Sequence, residues 1–228
     1  MRFALLFALL AAPALAAPFE PPEGCTGKLT VQYRSCLVAN YWTCEGEPDG
    51  MQWGALFNAN GITRLRQVDS EYQWLITRYF QPDTTQRMQL PAPDPESLDE
   101  LFATGNDTYD FTVVEDGSGQ TRRYVGHDRI TGETVIDGEP LMTTAYAYTV
   151  YSSDGTVISQ IEGRQYVSQS QRLFHFGRNW DPASPEDVSD DSPVRFIYPG
   201  ERGFFSADPV YGCDMMMSSL NQSMESAS

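Results

Sequence analysis

The chain has 228 residues, of which 15 are basic and 31 are acidic, so its net charge at neutral pH is −16. A surface with this excess of carboxylates repels phosphate backbones and anionic lipid headgroups, which argues against nucleic-acid binding and against peripheral attachment to membranes. The length suits one domain with a sizeable hydrophobic core.

The N-terminus has the pattern of an export signal. Arg2 precedes an apolar run at residues 4–10, and the tripeptide Ala14-Leu15-Ala16 supplies the small residues that a signal peptidase requires. The run is too short to span a bilayer, and no second apolar stretch of adequate length follows. We therefore predict a signal peptide at residues 1–16 and a soluble mature chain in the periplasm or secreted, with no membrane span.

Four cysteines follow, at Cys25, Cys36, Cys44 and Cys213. In an oxidising compartment this even number predicts two disulfides, with three possible pairings. Residues 38–43 have the composition of a strand, and an extended chain would separate Cys36 from Cys44 by about 25 Å, whereas a disulfide needs Cα atoms within about 7 Å. We expect Cys213 to pair with Cys36 or Cys44. Metal ligation is not predicted, because the spacings lack a Cys-x-x-Cys step.

Tight turns punctuate the chain, and the segments between them are typical of strands. Six dipeptides suit such turns: Asp49-Gly50, Asn60-Gly61, Asp116-Gly117, Thr131-Gly132, Asp137-Gly138 and Asp154-Gly155. Val, Ile, Thr and aromatic residues dominate the predicted strands at 51–58, 62–68, 72–80, 109–115, 122–126, 141–151, 156–162 and 166–176, and a last pair is predicted at 194–198 and 203–206. Short links between successive strands predict antiparallel neighbours, hence a meander.

One short α-helix is predicted at about residues 94–104. Asp94 suits the N-cap, Pro95 suits the first helical position and Gly105 suits the C-terminal stop. Three apolar side chains line one face at helical spacing, namely Leu98, Leu101 and Phe102. We expect this face to pack on the sheet.

The remaining segments complete the predicted architecture. Residues 82–93 are expected to form a loop that covers one end of the sheet as a lid, residues 181–193 an acidic surface loop, and residues 215–228 a mobile tail. Residues 17–214 are predicted to form a single, mainly β domain in which the antiparallel meander makes a curved sheet or barrel. In architecture this layout is similar to lipocalins and to periplasmic lipoprotein-carrier half-barrels.

Neither histidine lies in a catalytic motif. His127, Asp128 and Ser152 or Ser153 could be drawn as a hydrolase triad, but the chain has no Gly-x-Ser-x-Gly elbow, and adjacent strand residues point to opposite faces. His175 lies between two phenylalanines and is expected at a rim or on the surface. We therefore predict no catalytic residue and keep an exported hydrolase that uses His127 or His175 as the alternative.

No metal or cofactor is predicted either. The acidic loop at 181–193 lacks the alternating ligands and central glycine of an EF-hand. Met215, Met216 and Met217 could ligate cuprous ion, but three consecutive methionines near a terminus more often reflect packing or disorder.

Aromatic residues on the predicted strands are the remaining signal. They can form the core of a curved sheet, or some can line a pocket for an apolar ligand. The candidate pocket residues are Trp42, Trp53, Trp74, Tyr146 and Tyr148. Because catalytic constellations are missing, the sequence favours an exported, non-enzymatic binding protein whose partner is an apolar small molecule or a protein.

Overall fold

A computed structural model describes residues 19–213. The predicted signal peptide, the predicted mobile tail and the three methionines lie outside these residues. The elements are β1 (Cys25–Tyr33), β2 (Leu37–Cys44), β3 (Gln52–Asn58), β4 (Gly61–Val68), β5 (Trp74–Phe80), β6 (Asp83–Met88), α1 (Leu98–Thr104), β7 (Asn106–Glu115), β8 (Thr121–Ile136), β9 (Glu139–Ser152), β10 (Val157–Ser168), β11 (Leu173–Trp180), β12 (Ser189–Asp190) and β13 (Pro193–Ile197).

The strands form one antiparallel sheet of 13 strands. From β1 to β12 each strand pairs with its neighbour in sequence, and β13 returns to pair with the outer side of β1. The mainly β class, the meander and the single short helix are therefore confirmed. Of the two predicted forms, the structure adopts the curved sheet, which does not close into a barrel. Its edges are β12 and β13.

Two predicted strand boundaries are wrong. Thr131-Gly132 does not turn the chain but belongs to a β-bulge inside β8, where the register with β9 shifts between Ile130 and Gly132. A bulge absorbs one extra residue without ending the strand. The segment 166–176 is not one strand, because β10 ends at Ser168 and a turn with a left-handed Arg172 (φ 51°) leads into β11.

Two other segments differ from their predicted structures. The predicted lid at 82–93 contains strand β6, which pairs with β5 and β7 and so belongs to the sheet. Its polar sequence resembles a loop, but pairing on both sides satisfies its backbone. Residues 203–206 do not form the predicted strand, and residues 203–205 lie in a turn.

The helix begins later than predicted. Ser97 is the N-cap, and its Oγ accepts a hydrogen bond from the backbone N–H of Glu100 at 3.2 Å. Asp94 is not available for this role, because its backbone pairs with that of Asp110 in an isolated β-bridge. Gly105 ends the helix with a φ of 81°, as expected from the sequence. Leu98 and Leu101 are buried against the sheet.

The two disulfides join Cys25 to Cys44 and Cys36 to Cys213. Cys25 and Cys44 are direct partners across β1 and β2. Cys36 and Cys44 are not paired with each other, as the strand geometry predicts, and Cys213 takes Cys36. Two disulfides are typical of an oxidising compartment, extracellular or periplasmic. Within residues 19–213 no helix is long and apolar enough to cross a membrane.

The last described residues, 199–213, form a C-terminal segment that packs across β1 and β2. The buried hydroxyl of Thr30 accepts a hydrogen bond from the backbone N–H of Phe205 at 2.8 Å. Asn40 Nδ2 donates to the carbonyl oxygen of Ser206 at 2.9 Å, and Gln32 Nε2 donates to that of Asp208 at 3.0 Å. These bonds and the Cys36–Cys213 disulfide hold the segment over one face of the sheet.

Candidate functional site

The curve of the sheet surrounds a cavity of about 270 Å³, which we call the inner cavity. Strands β4, β5 and β7 to β11 and the segment before α1 line it, and the sheet face that they present is the inner face. Its principal side chains are Arg64, Arg66, Trp74, Glu96, Tyr109, Asp128, Tyr146, Tyr148, Gln165, His175 and Phe176.

Three of the five predicted pocket residues meet at this cavity. Trp74, Tyr146 and Tyr148 all line it. Trp42 and Trp53 lie on the opposite face, where their rings stack with centroids 6.5 Å apart. Since side chains alternate along a strand, the register of β2 that turns Tyr41 inward turns Trp42 outward.

Trp42 and Trp53 belong to a different hydrophobic cluster. Trp42 packs against Phe19 and Phe205, and the C-terminal segment covers it. Trp53 donates its indole N–H to Glu47 Oε1 at 2.9 Å. Trp42 therefore packs between the sheet and the C-terminal segment, and Trp53 packs against the same hydrophobic cluster.

His175 is buried, with 1% of its surface exposed, so the expected rim or surface position is wrong. The curve brings β11 against β1, β2 and β13, and His175 contacts the rings of Tyr41 and Phe196. Its Nδ1 lies 3.2 Å from the hydroxyl of Tyr33. Burial lowers the pKa of His175 to about 3, so the imidazole is neutral at physiological pH.

The triad that can be drawn from the sequence is not assembled in the described residues. His127 is exposed on the outer face of β8, whereas Asp128 is buried on the inner face. Ser152 pairs with Arg122, five residues along β8 from His127, which corresponds to roughly 17 Å. Among residues 19–213 neither histidine forms a hydrogen bond with a serine or a carboxylate.

Two arginines that sequence reasoning missed form one side of the inner cavity. Arg66 is buried, its Nε donates to Thr77 Oγ1 at 3.0 Å, and its guanidinium carbon lies 3.8 Å from the centroid of Trp74. The guanidinium carbon of Arg64 lies 5.3 Å from the centroid of Phe176. The sequence does show that Arg64 and Arg66 are two residues apart in a predicted strand, which puts both side chains on one face of the sheet.

Buried carboxyl groups form another side. Burial raises the pKa of Asp128 to about 7, although a hydrogen bond from Gln165 Nε2 to its Oδ1 at 2.8 Å acts in the opposite direction. Burial, together with the negative charge of Asp128, raises the pKa of Glu96 well above its usual value. Burial also raises the pKa of nearby Asp107 to about 6, against a hydrogen bond from the Ser97 N–H. These groups retain protons near neutral pH more readily than exposed carboxyls do.

Two buried polar atoms of the inner cavity lack hydrogen-bond partners within residues 19–213: Trp74 Nε1 and His175 Nε2. Buried polar atoms are normally paired, so each such atom requires an explanation. Across the same residues no cluster of three or more His, Cys, Asp or Glu side chains is arranged to hold a metal ion. The arrangement suits non-covalent binding of a molecule that offers both an apolar surface and hydrogen-bonding atoms.

Comparison of the chain with protein-family models, with curated proteins and with solved structures finds no match.

Proposed function

We propose that this is an exported binding protein that holds a small amphiphilic molecule in the inner cavity. The observation that carries the proposal is the combination, in one cavity, of aromatic walls with buried polar atoms that lack partners. Ligand sites are typically apolar clefts with a few convergent polar groups. The export signal pattern and the two disulfides support a location outside the cytoplasm.

The size of the inner cavity bounds the ligand. A volume of about 270 Å³ is near the lower end of ligand pockets. A ligand of roughly ten non-hydrogen atoms fits this space. Small ligands gain between about 0.3 and 1.5 kcal/mol per atom. A value near 0.6 gives about 6 kcal/mol, hence a Kd on the order of tens of micromolar.

The arrangement around the histidines favours a binder over a hydrolase. A hydrolase that uses a histidine as its base needs a nucleophile, that histidine and an orienting group in contact with one another. His175 Nδ1 instead contacts a tyrosine hydroxyl, and His127 lies on the outer face. We therefore expect His127→Ala to leave binding unchanged.

Native mass spectrometry of the protein purified from its own host tests the proposal. We expect a non-covalent adduct of small mass on the natural protein. Ile161 lines the inner cavity, so Ile161→Trp should fill it and abolish the adduct. Ile158 lies on the same strand but is 51% exposed, so Ile158→Trp is the matched control and should keep the adduct.

The contrary outcome is an adduct that persists in folded Ile161→Trp. It would place the ligand outside the inner cavity. The open cleft of about 640 Å³ at the tip of the β8–β9 hairpin, where Val135 is exposed, would then be the next candidate.

A further inference from the structure

Arg64 and Arg66 present two positive charges to the inner cavity without carboxylate partners. They share one face of β4 and line both the inner cavity and an adjoining cavity of about 30 Å³. Within residues 19–213 the ion pairs involve the arginines at positions 78, 87, 123, 172 and 178. Neither Arg64 nor Arg66 has a carboxylate oxygen within salt-bridge distance in that part of the chain.

The neighbouring polar groups add donors. The Trp74 ring lies under the guanidinium of Arg66, and its buried indole N–H has no acceptor among the described residues. Arginine and tryptophan side chains have donors and no strong acceptor. The carboxyl groups in the same cavity, Glu96 and Asp128, have raised pKa values and so neutralise the arginines only weakly near neutral pH. This part of the cavity therefore has surplus donors and surplus positive charge.

We infer that the ligand is a small monocarboxylate whose carboxylate group accepts hydrogen bonds from Arg64 and Arg66 while its apolar body contacts Trp74, Tyr146 and Tyr148. The inference rests on the proposed function, since it names the ligand class of the same cavity. A planar carboxylate matches the fork of a guanidinium, and such charge-assisted bonds are about twice as strong as neutral ones.

Charge and shape select this class over other anions. A second negative charge on the ligand would lie against the aromatic walls, away from the two guanidinium groups. Free phosphate would leave the aromatic walls without a partner. Burial of a charge without a counterion is costly, and burial lowers the pKa of Arg64 for this reason. A bound carboxylate supplies that counterion.

Calorimetric titration of the full chain with octanoate and benzoate, each against its neutral amide, tests the inference without any substitution. We expect each acid to bind at least about tenfold more tightly than octanamide or benzamide, because a hydrogen bond to a charged group contributes more than a neutral one. Inorganic phosphate is the third probe and should bind more weakly than either acid. Equal affinity for acid and amide, tighter binding of phosphate, or no binding of either acid would overturn the inference.

Variants identify the groups responsible. Arg64→Met and Arg66→Met keep an apolar stem and should each weaken octanoate binding about 10- to 100-fold, with little effect on octanamide. Arg78→Met is the matched control, since Arg78 is an exposed arginine next to the ring of Phe80, and it should bind octanoate as the natural protein does. Arg66→Lys keeps the charge, so its affinity for octanoate should lie between those of Arg66→Met and the natural protein. This variant tests Arg66 even if Arg66→Met does not fold.

The two proposals fail in different ways. If the acids and amides bind equally and Ile161→Trp abolishes both, the cavity binds ligands but does not select a carboxylate. If the acids bind and Ile161→Trp leaves that binding unchanged in a folded protein, the inner cavity is not the ligand site.

Discussion

The guanidinium carbon of Arg66 lies 3.8 Å from the centroid of the Trp74 ring. Arg66 pairs with Thr77 across β4 and β5, and a register shift next to Val68 brings Trp74 alongside it on the inner face. A desolvated cation–π contact contributes about 2 kcal/mol, and the bond to Thr77 Oγ1 fixes the guanidinium further. The proposed anion-binding group is thus held in place before any ligand arrives, which lowers the entropic cost of binding.

The buried carboxyl of Asp128 predicts an unusual dependence of stability on pH. Its pKa is about 7 in the fold and about 3.9 in an unfolded chain. Between these values the folded state holds a proton that the unfolded state has lost, so the free energy of unfolding falls as pH rises from about 4 to about 7 and levels off above that. For Asp128 alone the loss from pH 5 to pH 8 is about 2–3 kcal/mol.

Urea denaturation at pH 5 and pH 8 checks this dependence. Asp128→Asn does not titrate, so its stability should fall less between these pH values than that of the natural protein. His175 acts in the opposite direction below about pH 6.5, but it is common to both proteins and cancels in the comparison. The control is Asp116→Asn, at an exposed hairpin, which should follow the natural protein. Parallel pH profiles for Asp128→Asn and the natural protein would show that the Asp128 carboxyl does not hold its proton in the fold.

A glycine next to the inner cavity should tolerate no side chain. A Cβ at Gly163 would lie 2.5 Å from the carbonyl oxygen of Arg178 and 2.6 Å from the ring of Tyr146. We expect Gly163→Ala to cost about 1–3 kcal/mol and to weaken ligand binding, because Tyr146 must move. Gly132→Ala is the control, since its Cβ would meet only Thr143 Oγ1 at 3.4 Å. The free energy of unfolding and the ligand affinity of both variants test this prediction. Equal values for Gly163→Ala and Gly132→Ala would contradict it.

The two disulfides should differ in their contribution to stability. Cys36 and Cys213 are separated by 177 residues, whereas Cys25 and Cys44 are separated by 19. Loop-closure entropy predicts about 5 kcal/mol for the long loop and about 3 kcal/mol for the short one. To compare the two contributions, each cysteine pair is replaced by alanine and the free energy of unfolding is measured without reductant. Removal of Cys36–Cys213 should also speed proteolysis within residues 199–213. A larger loss of stability on removal of the Cys25–Cys44 pair would contradict the loop-closure argument.

Local patterns predicted much of the fold. Asn60-Gly61 and Asp137-Gly138 form hairpin turns as expected, because both dipeptides accept positive φ angles. The prediction that Cys36 and Cys44 do not form a disulfide, because an extended strand separates them, is also confirmed. These inferences depend on a few consecutive residues, which a sequence specifies directly.

The candidate site could not be predicted in the same way, because it depends on how the open sheet curves. Alternation along β4 places Arg64 and Arg66 on one face but does not say that this face is the inner one. In the same way, nothing near His175 in the sequence reveals that β1 and β13 pack against β11. Trp42 and Trp74 have similar strand contexts, yet they lie on opposite faces.

The most direct measurement is the indole N–H region of a nitrogen–proton correlation spectrum during a titration with octanoate, assigned with single Trp→Phe variants. The chain has four tryptophans, and among them Trp74 lines the inner cavity while Trp42 and Trp53 lie on the opposite face of the sheet. We predict that the Trp74 signal shifts in a saturable way and that those of Trp42 and Trp53 stay in place. Shifts at Trp42 and Trp53 with an unchanged Trp74 signal would contradict the account.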